Sequence, residues 1–518
     1  MIRDHFIDRL DEASGPWDVV VIGGGATGLG AAIDAAARGY STLLLEQSDF
    51  AKATSSRSTK LIHGGIRYLK QGNVSLVLEA LKERGLLYRN APHLVHNLSF
   101  VIPVYTWWEG PFYGIGMKVY DRLAGRLGLS PSRVLSREET IERIPTVETE
   151  GLVSGVIYHD GQFDDSRLAV KMAQTIHELG ACPVNYMKVI RLVKHNGIVS
   201  GVVASDEETG REYEVAARAV INATGVFADE VRRLDDPDCS SILTTSQGAH
   251  IVLPKRFLPG DSAIMVPRTE DGRVLFAVPW HDHVIVGTTD TPLERIELEP
   301  RPLEEEIEFL LTHAARYLGE DPQPEDVLSV FAGLRPLVAV GDAKDTAAIS
   351  RDHSIFVSNS GLITIAGGKW TTYRKMAQDV IDQAELVAGL DGEPCSTERL
   401  RIHGWFEGEV GDVRLGGYGS DAEAIRGLEK SEPGLDAPLA PGVAVTGAQV
   451  IWAVREEMAR TVEDVLSRRT RALLLGARAS IEAAPAVASL MARELGRDEG
   501  WQRQVVADYR ALALRYIL

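Results

Sequence analysis

Residues 23–28 read Gly-Gly-Gly-Ala-Thr-Gly and satisfy the G-x-G-x-x-G spacing that binds a dinucleotide. The chemistry is phosphate capture. Gly23 permits a tight turn, Gly25 lets the backbone approach a pyrophosphate, and Gly28 allows a helix and a strand to pack closely, with the helix start facing the phosphates. Glu46 stands where a carboxylate accepts hydrogen bonds from ribose hydroxyls and disfavours a ribose phosphate, so FAD or NAD is expected over NADP. A hydroxyl-rich and glycine-rich loop follows, with Ser56, Ser58, Thr59, His63, Gly64 and Gly65, suited to wrapping a pyrophosphate and a flavin ring. Taken alone it reads as an ordinary polar surface loop. Farther on, Thr224 and Gly225 end one apolar run, and Gly367, Gly368 and Lys369 end another. Trp370 and Thr371 then open a helical stripe that runs through Met376, Val380, Ala384 and Val387, and a helix start there can stabilise negative charge on a reduced ring.

These residues need elements to hold them. Residues 19–22 form a β-branched run entering the glycines, Ala-rich helical sequence continues to Arg38, and residues 42–45 are a second apolar run, which together make a β-α-β unit. The runs at 219–223 and 362–366 read as returns to the same parallel sheet, so the nucleotide-binding domain is discontinuous in sequence. Runs at 274–278 and 284–286, around Trp280-His281-Asp282-His283, predict a hairpin in a separate, more antiparallel domain. After Gly389 the texture becomes Pro/Gly-rich at 433–442 and strongly helical from 449 onward. The expected fold is α/β. A Rossmann-like dinucleotide-binding domain takes residues 15–100, 165–245 and 327–390, a mixed to antiparallel substrate domain takes 101–164 and 246–326, and an α-helical C-terminal domain takes 395–518.

Hydrophobic residues at 45% and charged residues at 25% of 518 are the proportions of a folded globular chain too long for a single core. The net charge of -18 argues against a nucleic-acid partner, because phosphate backbones demand basic surface. Any anionic ligand must meet locally concentrated cations. Cys182, Cys239 and Cys395 are widely spaced and form no metal-ligand pattern, which fits a reducing cytoplasm. No stretch has the length and apolarity of a membrane span, and no secretory leader is expected.

Residues 58–69 (Ser-Thr-Lys-Leu-Ile-His-Gly-Gly-Ile-Arg-Tyr-Leu), 91–94, 248–254, 287–290, 333–337 and 367–374 together resemble the FAD-dependent glycerol-3-phosphate dehydrogenases. The resemblance continues through 461–466 and Arg468-Arg469-Thr470-Arg471, so it spans nearly the whole chain in order. It implies FAD as cofactor and oxidation of sn-glycerol 3-phosphate to dihydroxyacetone phosphate. It also implies that Arg67, Tyr68, His250, Arg335, Arg351 and Lys369 form the substrate site. Arginine forks match phosphate oxygens, which assigns the phosphate to Arg335 and Arg351. His250 is the first candidate for the base that takes the hydroxyl proton, because its ordinary pKa of ~6.5 suits neutral pH, and Lys369 is the second. The rivals are an oxidase that reduces dioxygen, an amine or amino-acid oxidase of the same superfold, and a flavin-binding regulatory protein without turnover. An amine or amino-acid substrate would not require so many cations, and the non-catalytic reading would require loss of the base and cations that are present.

Residues 105–108 and 112–113 are rich in aromatics, and Ile115, Met117, Val119 and Tyr120 follow, interleaved with Lys118, Arg122 and Arg126. Aromatic and basic residues on one helix suit a bilayer interface, although a packing helix has the same composition. The family docks peripherally on membranes and reduces quinone, so a cytoplasmic enzyme held at the inner face of the cell membrane is expected. A homodimer is compatible with the sequence.

Overall fold

A computed structural model describes residues 1–13, 15–65, 73–267, 269, 273–338, 352–408 and 410–518. Its first sheet is centred on the strand Trp17–Ile22, which pairs in parallel with Thr42–Leu45 on one side and Glu212–Asn222 on the other. Cys182–Val184 extends it in parallel beyond Thr42–Leu45. Ile363–Gly367 adds in parallel beyond Glu212–Asn222, with His353–Val357 antiparallel at the edge. Val19, Val20 and Val21 are wholly buried, as expected for a parallel strand covered on both faces. Each such side chain contributes roughly 1.5–3 kcal/mol of burial.

The helix Ala26–Ala37 forms from an alanine-rich segment in which β-branched residues are few. It packs tightly on the sheet because Gly28 has no side chain: a Cβ there would lie 1.9 Å from the carbonyl oxygen of Gly23. The helix Tyr373–Ala388 lies against it, with Met376, Val380 and Ala384 buried as the apolar stripe predicts.

The second sheet is largely antiparallel. The predicted hairpin is there, as Leu275–Trp280 paired with His283–Gly287. Leu243–Pro254 pairs with His283–Gly287 on one edge and with Ser329–Val338 on the other. This last pairing departs from the expectation that 327–390 belongs wholly to the nucleotide-binding domain, because Ser329–Val338 completes the second sheet. An apolar run carries no record of which edge its backbone groups will bond. Val95–Val104, Ser154–Phe163 and Leu61–Ile62 continue the sheet on its far side.

The C-terminal region is helical, with Ala422–Ser431, Gly447–Glu457, Ala477–Leu495 and Glu499–Ala513 around a small hairpin. No helix among the described residues is long and apolar enough to cross a membrane.

Candidate active site

The parallel strands Trp17–Ile22, Thr42–Leu45, Glu212–Asn222 and Ile363–Gly367 end at one cavity of about 990 Å³, and the second sheet supplies its opposite wall at Gly248, Thr288, Gly333 and Arg335. A central strand with parallel neighbours on both sides creates a crevice at this edge, where such sheets take their ligands.

At the glycine turn the helix Ala26–Ala37 begins on Gly25, with no side chain capping it. The N–H of Ala26 donates to Ser55 Oγ at 2.9 Å, while Gly23, Gly25 and Thr27 line the cavity beside the positive helix end. Glu46 Oε2 accepts the Gly24 N–H at 2.6 Å and Oε1 accepts the Ser48 N–H at 2.8 Å, which ties the second strand to the turn. Burial pushes the pKa of Glu46 up against the pull of those two donors. Its remaining lone pairs can take hydroxyl donors. A helix start that follows glycines at the cavity wall, a lining carboxylate and a cavity of this size fit a dinucleotide as large as FAD.

Ser58, Thr59, His63, Gly65, Thr224, Gly225, Gly367, Gly368, Lys369, Trp370 and Thr371 line the cavity with Glu46. Gly28, Ser56 and Gly64 stand behind its wall instead. Ser56 turns its hydroxyl to the carbonyl of Ala53 at 3.3 Å, and the N–H of Gly64 donates to the Tyr120 hydroxyl at 2.8 Å. Trp370 Nε1 donates to the Ser55 carbonyl at 2.9 Å, and Thr371 Oγ1 bonds the His63 backbone at 3.3 Å. These bonds join the hydroxyl-rich loop to the start of the helix Tyr373–Ala388.

At the other end His250, on Leu243–Pro254, is stacked on Phe331 with centroids 4.6 Å apart. Its Nε2 lies 2.9 Å from Thr59 Oγ1, and its Nδ1 is buried without a hydrogen-bond partner among the described residues. Burial foremost, then the charges of Lys60 and Arg335, hold its pKa well below the ordinary histidine value. The ring is therefore neutral. Arg335, on Ser329–Val338, donates through its two terminal nitrogens to Ser246 Oγ, the Gln247 carbonyl, Thr288 Oγ1 and the Thr289 carbonyl at 2.9–3.2 Å, and to Asp290 Oδ1 at 3.3 Å. It both lines the cavity and braces the 287–290 turn. Lys369 enters the same wall from the end of the first sheet. Arg67, Tyr68 and Arg351 lie outside the described residues.

Several residues that shape the site escaped the sequence reading. Lys60 is fully buried at φ +64° and donates to Asp165 Oδ2 at 2.6 Å and to the Ser56 carbonyl at 2.8 Å. Burial lowers its pKa to about 7 despite Asp165. Asp165 also accepts from the N–H and hydroxyl of Ser58, and from Arg471 at 3.0 Å. Glu306 is buried and accepts from Gln247, Thr289 and Thr291. A carboxylate in the first turn of a helix is the signal these acids give in sequence, and it does not name their partners.

A family model described as FAD dependent oxidoreductase matches residues 18–374, and one described as the C-terminal domain of alpha-glycerophosphate oxidase matches residues 361–502. The mitochondrial glycerol-3-phosphate dehydrogenase of Macaca fascicularis is 42% identical over 93% of this chain and 71% of its own length. That of Schizosaccharomyces pombe is 36% identical over 98% of this chain and 88% of its own. Among solved structures, the glycerol-3-phosphate dehydrogenase of Bacillus halodurans complexed with FAD matches with a TM-score of 0.79 and 30% identity, over 99% of this chain and 97% of that one.

Proposed function

This chain belongs to the FAD-dependent glycerol-3-phosphate dehydrogenases, and from that membership and the site we propose that it oxidises sn-glycerol 3-phosphate to dihydroxyacetone phosphate and passes the electrons to a quinone at a membrane surface. One observation carries the chemistry: a neutral, buried imidazole, an arginine and a lysine converge on the end of a cavity whose other end is built for a dinucleotide.

Gly23, Gly25, Glu46 and Thr224 would hold the dinucleotide, while His63, Gly65, Gly368 and Trp370 would flank its ring. When bound, FAD accepts the hydride from C2. Arg335 and Lys369 offer the substrate phosphate cationic donors in an otherwise acidic protein. His250 receives the hydroxyl proton, for which a neutral ring is required. The helix that starts at Trp370 has no capping side chain, so its N–H groups and positive end favour the negative charge that reduction adds.

The acceptor and the membrane rest on a second observation. Helix Glu109–Ala124 buries Gly114, Met117 and Tyr120, yet Trp108, Phe112, Ile115 and Val119 recur at helical spacing on its open face with Trp107 beside them, and Trp107 is 80% exposed. Val134 joins them across Gly114. An apolar patch of this kind marks an interaction surface, and aromatic side chains flanked by Lys118 and Arg122 suit the headgroup layer. A lipid-dissolved quinone can approach the flavin only if the enzyme sits at the bilayer. The three free cysteines are consistent with work on the cytoplasmic side.

Anaerobic addition of glycerol 3-phosphate to the yellow protein tests the chemistry, with bleaching of the flavin band expected; a band that stays intact defeats the reading. Reoxidation of the bleached protein by quinone in liposomes, compared with oxygen uptake, then decides between the dehydrogenase and an oxidase.

A further inference from the structure

His250 lines the cavity, yet one of its nitrogens is enclosed and the other is taken up by a neighbouring hydroxyl. The ring is 2% exposed and lies flat on Phe331. Its Cδ2–Nε2 edge faces Gly287, where a Cβ would be 2.1 Å from Cδ2 and 2.8 Å from Nε2. Nδ1 is sealed from solvent. In the tautomer that carries its proton on Nδ1, Nε2 accepts the Thr59 hydroxyl across 2.9 Å, and a nitrogen with one lone pair cannot also accept a substrate hydroxyl. Thr59 lines the cavity as well and is only partly buried.

The hydroxyl is also held in place. Ser58 and Lys60, on either side of Thr59, are both bonded to Asp165 Oδ2, at 2.7 and 2.6 Å. Anchoring the residues before and after it fixes the backbone that presents Thr59 at the cavity wall. Lys60 keeps a left-handed backbone that is strained for a residue with a Cβ, and the bonds of its ammonium to Asp165 and to the Ser56 carbonyl hold it there. Arg471 from the C-terminal domain fixes Asp165 and the same carbonyl, each at 3.0 Å.

We propose that Thr59 is a further catalytic residue, whose hydroxyl carries the substrate's proton to Nε2 of His250. The inference rests on His250 being the base. As the C2–H pair leaves as hydride for FAD, the C2 hydroxyl O–H bond breaks and its proton binds Thr59 Oγ1. The original Thr59 proton moves to Nε2 at the same time, and the electron pair left on the substrate oxygen becomes the carbonyl π bond. The substrate loses two electrons, FAD gains them, and the proton ends on the imidazole.

The test compares Thr59→Val, Thr59→Ser and His250→Asn holoenzymes in anaerobic single-turnover flavin reduction, after the flavin band has established equal FAD content. Thr59→Val is expected to reduce on the order of 10²-fold more slowly, in the range of lost proton-transfer catalysis, and Thr59→Ser to recover most of that loss. Binding of glycerol 3-phosphate to the dithionite-reduced holoenzymes, read by calorimetry without turnover, should be nearly the same for Thr59→Val and wild type. A normal rate in Thr59→Val beside a slow His250→Asn overturns the relay and leaves His250 as the base. Normal rates in both overturn the base as well. Should the valine variant lose its FAD, the wild type decides: two protons in flight give a curved dependence of the reduction rate on deuterium fraction, and a linear or absent dependence overturns the proposal.

Discussion

At His250 the surroundings disfavour the protonated ring, and this sets the expected pH profile. Burial, then Lys60 and Arg335, lower its pKa, so the imidazole stays neutral and able to accept a proton below the ordinary value of ~6.5. The acid limb of single-turnover flavin reduction should therefore lie below that value and vanish in His250→Asn; a limb at or above it would assign the base to another group, first of all Lys369. Arg335 has two duties. It faces the cavity and bonds to Thr288, Thr289 and Asp290. Arg335→Ala should raise KM for glycerol 3-phosphate by roughly 10- to 100-fold, as loss of charge-assisted bonds to a phosphate implies. Because Gly287 abuts His250, a smaller fall in kcat should accompany it as the 287–290 turn loosens. An unchanged KM with intact flavin content would make the arginine purely structural. His250, Arg335 and Lys369 were legible in the sequence because each sits in a motif. Lys60 and Asp165 were not, since their ion pair joins residues 105 positions apart and neither residue type marks its partner.

Among the elements, the strand, helix and strand around the glycine turn were readable because spacing fixes their geometry, whereas the edge to which Ser329–Val338 bonds was not. The helix Glu109–Ala124 shows both cases. Its aromatic and basic face was evident in sequence; its inner contacts were not. The Tyr120 hydroxyl accepts the Gly64 N–H at 2.8 Å and donates to Asp160 at 3.0 Å, and Arg84 holds the same carboxylate at 2.5 Å. The outer face can therefore be altered separately from the inner one, which is tied to the loop that lines the active site. Replacing Trp107, Trp108 and Phe112 together with serine should leave the Tyr120 bonds intact and keep activity with a water-soluble dye. Sedimentation with liposomes and quinone reduction should both fall, because most of the exposed aromatic area is lost. A triple variant that still sediments and reduces quinone at the wild-type rate would move the membrane contact elsewhere.

Over the whole molecule, the C-terminal helices are built into the cofactor domain through buried charge. Arg468 and Arg469 converge on Asp49, whose pKa falls to about 2 because the two arginines outweigh burial. Arg167 pairs with Glu457, and Lys171 with Asp421. The boundary expected between residues 390 and 395 rests on a change of texture, which says nothing about contacts across it. One of those contacts is a histidine whose pKa is raised by its carboxylate partners. His403 Nδ1 is 2.6 Å from Glu178 on the helix Asp165–Glu178, and Nε2 is 3.0 Å from Asp421. Burial is the largest influence and works against the cation, as does Lys171, but Asp421 and Glu178 prevail and raise the pKa of His403. Burial alone would raise Asp421, but His403 and Lys171 hold it well below the usual carboxylate range. A raised histidine stabilises the fold fully below its unfolded pKa of ~6.5 and loses that contribution as pH climbs through the folded value. A depressed aspartate stabilises above its unfolded pKa of ~3.9 and loses that contribution as pH falls through the folded value. The docking of the C-terminal region is thus strongest between those limits. Calorimetric Tm should decline as pH rises above ~6.5, and His403→Gln should flatten that decline while lowering Tm on the acid side. Equal slopes in the two proteins would show that His403 is neutral in the fold and that Lys171 alone neutralises Asp421.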